Sequence, residues 1–328
     1  MIRLVIATAC AVAAANATAG AAGSYTIVDL GIYDFPLAAN PAGTLVGYST
    51  AFHVEPIVYQ NGAWSTLPNL RGVTEALAIN AKGLIVGYDL DTQVLWRNDQ
   101  RNRLKGVLAG QPRGVADNGV IVGYEVEGTL DACYSWKSGQ KTILPGLGGS
   151  GNCFANAIDA TATFIGGQSS TPAGANHAFL MDATGTHDLG TLNHSASSSL
   201  KALNRHGHAA VSSTFDDMST WGAAYWNGRR LVDIGLHAAG AQSLATAIDD
   251  DDDVLVVRAD GAGHVLFLYS GRSGATTALE PLIVNPAGWT FDLDSTLMLT
   301  AIGTDGAIYG SANFQGQPHA YKLVPGAR

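Results

Sequence analysis

A short segment recurs seven times along this chain, and that repetition limits what the sequence can fold into. Its clearest copy is Ala78-Ile79-Asn80-Ala81-Lys82-Gly83-Leu84-Ile85-Val86-Gly87-Tyr88: a brief apolar run, an Asn-x-x-Gly turn, and a second apolar run ending in Gly. Further copies lie at 38–48, 115–124, 157–167, 202–212, 247–257 and 301–311. The turn glycine, or its equivalent, falls at 43, 83, 119, 162, 207, 252 and 306, in steps of 40, 36, 43, 45, 45 and 54 residues. A period in this range marks a repeat architecture.

Each repeat reads as four strands. The first is the Ala-Ile pair before the turn, with Ala38, Ala78, Ala157, Ala202, Ala247 and Ala301 at one fixed place and Val115 in the third copy. Asn40, Asn80, Asp117, Asp159, Asn204 and Asp249 follow, residue types whose side chains cap a turn by bonding the backbone ahead. The second strand is 44–48, 84–88 or 120–124. The third is best seen at His177-Ala178-Phe179-Leu180, and the fourth at 186–192, where Asp188-Leu189-Gly190 is echoed by Asp233-Ile234-Gly235. The seventh repeat stops after its third strand. Its missing fourth strand matches Tyr25–Leu30 and Gly31 at the other end of the chain. Pairing these ends closes a ring and removes two exposed sheet edges. Four strands per 40–45 residues is the dimension of a propeller blade. The expected fold is therefore all-β: a seven-bladed β-propeller over 23–328, closed by its N-terminal strand.

Composition agrees. Charged residues are 14% and Gly is 40 of 328, a balance suited to short strands and tight turns. The net charge of −9, with no basic block, excludes nucleic acid as an expected partner. Residues 1–22 read as a signal peptide. Arg3 gives a positive start, 4–15 is apolar, and Ala15-Asn16-Ala17, Ala17-Thr18-Ala19 and Ala19-Gly20-Ala21 are small-x-small cleavage sites. No segment is long enough to span a membrane. A secreted or periplasmic location follows. In that compartment Cys133 and Cys153 can form a disulfide; the plainer reading is two buried thiols.

The combination of A-I-N-x-x-G-x-I-V-G, H-A-F-L and D-L-G-T-L resembles the HAF-repeat family of bacterial exported proteins. The family's tripeptide is His177-Ala178-Phe179 here and, as His-Ala-Tyr, His319-Ala320-Tyr321. The resemblance covers nearly the whole chain after the signal. It implies an extracytoplasmic repeat protein and no reaction, so no catalytic residue is carried over.

Gly146-Leu147-Gly148-Gly149-Ser150-Gly151 satisfies the dinucleotide pattern G-x-G-x-x-G, but the next blade's first strand follows it where a helix is required. Two faces of the ring gather candidate residues. The face carrying the loops between second and third strands gathers Asp89, Asp91, Glu125, Glu127 and Asp131, with Phe52, Trp221, Trp289 and Phe314. Aromatics beside carboxylates suit a glycan or a cationic partner; ordinary loop packing and solvated charge is the plainer reading. On the opposite face, Asp250, Asp251 and Asp252 lie in the sixth repeat's turn and His206 and His208 in the fifth's. These residue types suit a divalent cation; a solvated acidic turn is the plainer reading. No other cofactor is indicated. The expected function is a non-enzymatic binding module for an extracytoplasmic ligand, a glycan or a protein. The alternative is a hydrolase or lyase acting on a polysaccharide or other polymer at the central funnel.

Overall fold

The Asn-x-x-Gly turn folds the same way around the molecule. In the first blade Asn40 Oδ1 accepts the backbone N–H groups of Ala42 and Thr44, and the Gly43 N–H donates to the Asn40 carbonyl. Asn80, Asn204 and Asp249 repeat the arrangement. The residue at the glycine place is left-handed in all seven turns, including the two non-glycines, Ala162 at φ 62° and Asp252 at φ 66°. The amide nitrogen of each turn Asn reaches the next blade: Asn40 donates to the Asn80 carbonyl, Asn80 to Ala116 and Asn204 to Asp249. The motif therefore closes a hairpin and stitches neighbouring blades together.

The structure, a computed structural model, describes residues 24–326 apart from 71, 195, 216–219, 238–240, 261–262, 292–300 and 304. The expected signal segment lies outside the described residues. Six four-stranded antiparallel sheets follow one another in strict chain order, with innermost strands Asp34–Ala39, Thr74–Ile79, Gly110–Val115, Cys153–Ile158, Ser198–Leu203 and Gln242–Ile248. The seventh sheet is built from both ends of the chain. Its third strand, Gln317–Pro325, pairs antiparallel with Tyr25–Ile32, from Tyr25 opposite Pro325 to Ile32 opposite His319. Ile283–Val284 adds parallel to the outer side of Tyr25–Thr26, an extra strand that the repeat pattern does not contain. The chain is a seven-bladed β-propeller.

Its hydrophobic interior is divided into layers between successive blades. Val46, Ala76 and Val94 fill the first interface; Val86, Val115 and Tyr134 the second; Val122, Cys153 and Phe179 the third. Leu180, Leu200 and Val211, then Ala210, Val254 and Tyr269, continue the series. Leu266, Ile308 and Tyr321 join blades six and seven, and Leu30, Leu45 and Tyr309 join seven to one. Each blade is thus packed against the blades on either side of it. Cys133 and Cys153 form a disulfide between blades three and four, with Cα atoms 4.9 Å apart.

Two sequence alignments need correction. In the third repeat the residue facing the fixed alanine place is Gly114, opposite Val122, and not Val115. The Asn place is accordingly Ala116, whose N–H and C=O close the turn, while Asp117 Oδ1 caps the Ala81 N–H of the preceding blade. The fourth strand of blade four also ends at Asp188 rather than continuing to Leu192. Asp188 Oδ1 accepts the Gly190 N–H at 2.8 Å, and the left-handed Gly190 turns the chain away.

Candidate functional site

Every innermost strand from blade one to blade six carries a bulge at the same place. The register slips between Pro36 and Ala38, Ala76 and Ala78, Pro112 and Gly114, Ala155 and Ala157, Leu200 and Ala202, and Ala245 and Ala247. A bulge leaves one residue unpaired and re-aims its side chain. Opposite it the backbones come close: a Cβ on Gly47, Gly87, Gly123 or Gly167 would meet a facing carbonyl oxygen at 1.9–2.3 Å. This close approach accounts for the Gly of the I-V-G element.

The unpaired residues are Leu37, Leu77, Arg113, Asn156, Lys201 and Thr246, and all six line the central channel, a cavity of about 320 Å³. The corresponding place in blade seven, 300, lies outside the described residues. The channel is therefore apolar on blades one and two and polar on blades three to six. Asn156 Nδ2 donates to the Leu200 carbonyl at 3.0 Å and joins blade four to blade five. Lys201 is exposed to the channel, yet the surrounding walls desolvate its ammonium, and this, followed by the nearby Arg113 charge, lowers its pKa. Arg113 lies over the Tyr124 ring, 5.7 Å from its centroid. The Glu75 carboxyl is raised by burial while the Tyr88 hydroxyl and the Arg113 charge pull it back down.

The face carrying the second-to-third-strand loops is less uniform than its sequence implies. Asp89 is completely buried, ion-paired to Arg101 of its own blade, and accepts the Leu70 N–H and the Thr74 hydroxyl. Glu125 is also buried; Lys141 pairs with it and the Leu108 N–H donates to it at 2.8 Å. Ser169 and Ser213 occupy the same place in blades four and five and accept the Leu147 and Leu192 N–H groups. The end of the second strand is thus an anchor for the incoming loop, so Asp89 and Glu125 are framework rather than ligand contacts. Asp91 and Glu127 are exposed, and the Asp131 N–H donates to the Asn152 side chain. Trp221 is half-buried at the start of its strand.

The aromatics divide differently. Trp289 pairs with Phe314 across two strands of blade seven, ring centroids 4.9 Å apart. The His319 ring lies 6.1 Å from Trp289 and 5.3 Å from Phe314. Trp289–Thr290 takes the upper part of the innermost position, which resumes only at Ala301–Ile302. This interruption falls within the longest step of the repeat. Phe52, 93% exposed, stands in the corresponding loop of the adjacent blade one.

On the opposite face the turns of blades five and six do meet, but their charges are consumed locally. His208 Nδ1 lies 2.8 Å from Asp252 Oδ1 and 3.0 Å from the Tyr225 hydroxyl. Asn204 also donates to Asp252. Asp250 takes the Arg205 N–H, and Asp251 pairs with Arg272. His206 stands beside Arg205. No three His, Cys, Asp or Glu side chains converge as metal ligands among the described residues, so the expected set of His206, His208, Asp250, Asp251 and Asp252 is not assembled. Arginines, an amide and backbone N–H groups supply the compensation assigned to a cation.

Neither a family model nor a curated protein matches the chain. Solved structures do. A puromycin hydrolase complexed with PGG superposes with a TM-score of 0.56 at 11% identity, over 85% of this chain and 50% of that one. A puromycin-hydrolyzing peptidase from Mycobacterium tuberculosis gives 0.56 at 13% identity, over 92% and 54%. YCF48 bound to D1 peptide gives 0.52 at 13% identity, over 92% and 96%. This chain spans about half the length of the two hydrolases and nearly all of YCF48. At these identities the likeness is one of fold alone. Among the described residues no helix is long and apolar enough to cross a membrane.

Proposed function

We propose that this chain is an exported binding propeller of the HAF-repeat type, and that it holds a carbohydrate on the loop face of blades seven and one. The carrying observation is the Trp289–Phe314 pair, half-buried at that face, with the exposed Phe52 on the neighbouring blade. Flat aromatic rings offer a large, rigid apolar surface to the C–H faces of sugar rings, and indole adds a donor at its edge. His319, locked to Asp29 at 2.9 Å, borders the pair with a fixed polar group. YCF48, whose length this ring matches, is described with a bound peptide, which supports a propeller of this size working as a binder without an added catalytic domain.

The test is a glycan array probed with the mature protein, repeated with Trp289→Ala. Loss of a stacking Trp should weaken a bound glycan by at least roughly ten-fold. Retention of every array signal in the variant, or capture of peptides and no glycan by the native chain, contradicts the proposal.

A further inference from the structure

We infer that the central channel is a second, independent binding site, built for a small organic anion that carries a carboxylate at one end and an apolar body at the other. The argument begins with variation. In a repeat chain the places occupied alike in each copy build the frame. The bulged place is different: its six described occupants are Leu37, Leu77, Arg113, Asn156, Lys201 and Thr246, and each faces one common cavity. Their order around the ring is not mixed. Two leucines stand side by side, followed by four polar residues on consecutive blades.

The charges give the second step. Arg113 and Lys201 flank Asn156 from blades three and five. Neither makes an ion pair with a carboxylate among the described residues, in a chain whose net charge is −9. Acidic groups outnumber basic ones, yet two cations are kept together where the walls restrict water. The carboxyl nearest in influence, Glu75, is engaged by Tyr88 and feels the Arg113 charge without an ion pair to it, while the guanidinium lies over the Tyr124 ring. Two like charges so placed repel; desolvation first, and the Arg113 charge after it, lower the pKa of Lys201. A carboxylate lodged between them removes the repulsion and gains charge-assisted hydrogen bonds from a guanidinium and an ammonium. Asn156, whose amide donates to the Leu200 carbonyl, stands on the blade between those of the two cations, and Thr246, whose hydroxyl donates to the Leu255 carbonyl, follows on blade six.

The third step is size and polarity. A cavity of about 320 Å³ lies at the small end of ligand sites, which accept compact molecules rather than polymers. Leu37 and Leu77 supply an apolar wall adjoining the basic arc, with Ala38, Ala78 and Ile79 beside them. A bare inorganic anion would leave that wall unused. A short fatty or aromatic carboxylate fits both halves.

The test is calorimetric titration of the mature protein at low salt with hexanoate, butanoate, inorganic phosphate and hexylammonium. Hexanoate should bind saturably below about 10 mM, butanoate, two methylenes shorter, about sixteen-fold more weakly at roughly four-fold per methylene, and hexylammonium not at all. Arg113→Gln and Lys201→Gln should each weaken hexanoate by roughly ten-fold or more. Leu77→Asn should weaken hexanoate but leave the phosphate signal unchanged, and Trp289→Ala should leave both unchanged. Near-ultraviolet circular dichroism verifies that each variant keeps its packed ring. The inference is overturned if hexanoate gives no saturable signal, if phosphate binds as tightly as hexanoate, or if the two charge variants keep the native affinity.

Discussion

His319 Nδ1 lies 2.9 Å from Asp29 Oδ1, a contact between residues 290 positions apart. The same pair recurs within blade four, where His177 Nδ1 lies 2.9 Å from the Asp188 carboxylate. Each Asp also caps a glycine N–H two residues on, Gly31 at 3.0 Å and Gly190 at 2.8 Å. The H-A-F and D-L-G elements are therefore two halves of one cross-strand contact between third and fourth strands. In blade seven the halves come from opposite ends of the chain. Because both Asp side chains are substantially exposed, the pair itself contributes only about 0.5–1 kcal/mol. A double-mutant cycle of His319→Ala and Asp29→Ala, read by urea unfolding, should give a coupling energy in that range. Deleting 24–32 should instead abolish the single cooperative transition, because it bares a sheet edge and one inter-blade layer.

Asp249 makes the turn of blade six pH-dependent. Burial first, then the neighbouring Asp253 and Asp251 charges, raise its pKa to about 6 against the lowering effect of two backbone N–H groups. A carboxyl whose folded pKa is raised stabilises the fold below its unfolded value near 3.8 and loses that contribution as pH rises through about 6. Asn40, Asn80 and Asn204 perform the same cap without charge. Asp249→Asn should match the native protein at pH 3.5 and exceed it above pH 6 by about 1 kcal/mol, after allowance for solvent screening. Melting temperatures recorded across that interval provide the check. A constant difference at all pH values would refute the assignment.

Ala162 holds a left-handed backbone at φ 62°, where the equivalent place in five other blades is glycine. A Cβ costs about 1–2 kcal/mol there, while glycine adds about 0.5–1 kcal/mol of unfolded-state entropy. Ala162→Gly should therefore be neutral to stabilising by about 1 kcal/mol, in contrast to most surface Ala-to-Gly changes. Chemical denaturation measures it directly.

Asp89 tests the distinction between framework and ligand carboxylates. Its removal leaves Arg101 without its partner and deprives the Leu70 N–H and Thr74 hydroxyl of an acceptor. Asp89→Ala should cost about 3 kcal/mol or more of stability. Asp91→Ala, at an exposed place in the adjoining turn, should cost less than about 0.5 kcal/mol. Similar effects from the two would place Asp89 at the surface.

The ring was legible because its instructions are local. The turn Asn with its glycine, and the D-x-G step, each bond within a few residues, so their spacing alone located blades and the shared seventh sheet. The functional surfaces were not legible in the same way. Asp89 and Asp91 are two residues apart in one acidic stretch; Asp89 ends its strand and meets Arg101, while the left-handed Leu90 carries Asp91 into the exposed turn. Arg113, Asn156 and Lys201 carry no mark in the repeat pattern: Asn156 and Lys201 precede Ala157 and Ala202, Arg113 stands two places before Val115, and only the bulge turns that place into the channel. The one available signal was its variability beside an otherwise constant alanine. The acidic turn of blade six suits a cation in sequence because the arginines that answer it, Arg205 and Arg272, come from a neighbouring blade and a neighbouring hairpin.

Both proposed sites depend on a ring closed by the first strand. Native-state hydrogen exchange of the mature protein tests that closure most directly. Hydrogen-bonded amides of Tyr25–Ile32 should be protected to the same degree as those of Gln317–Pro325, since the two strands share one ladder and open together. Exchange of the 25–32 amides at rates typical of an unfolded segment, beside a protected 317–325 strand, would contradict the closed ring.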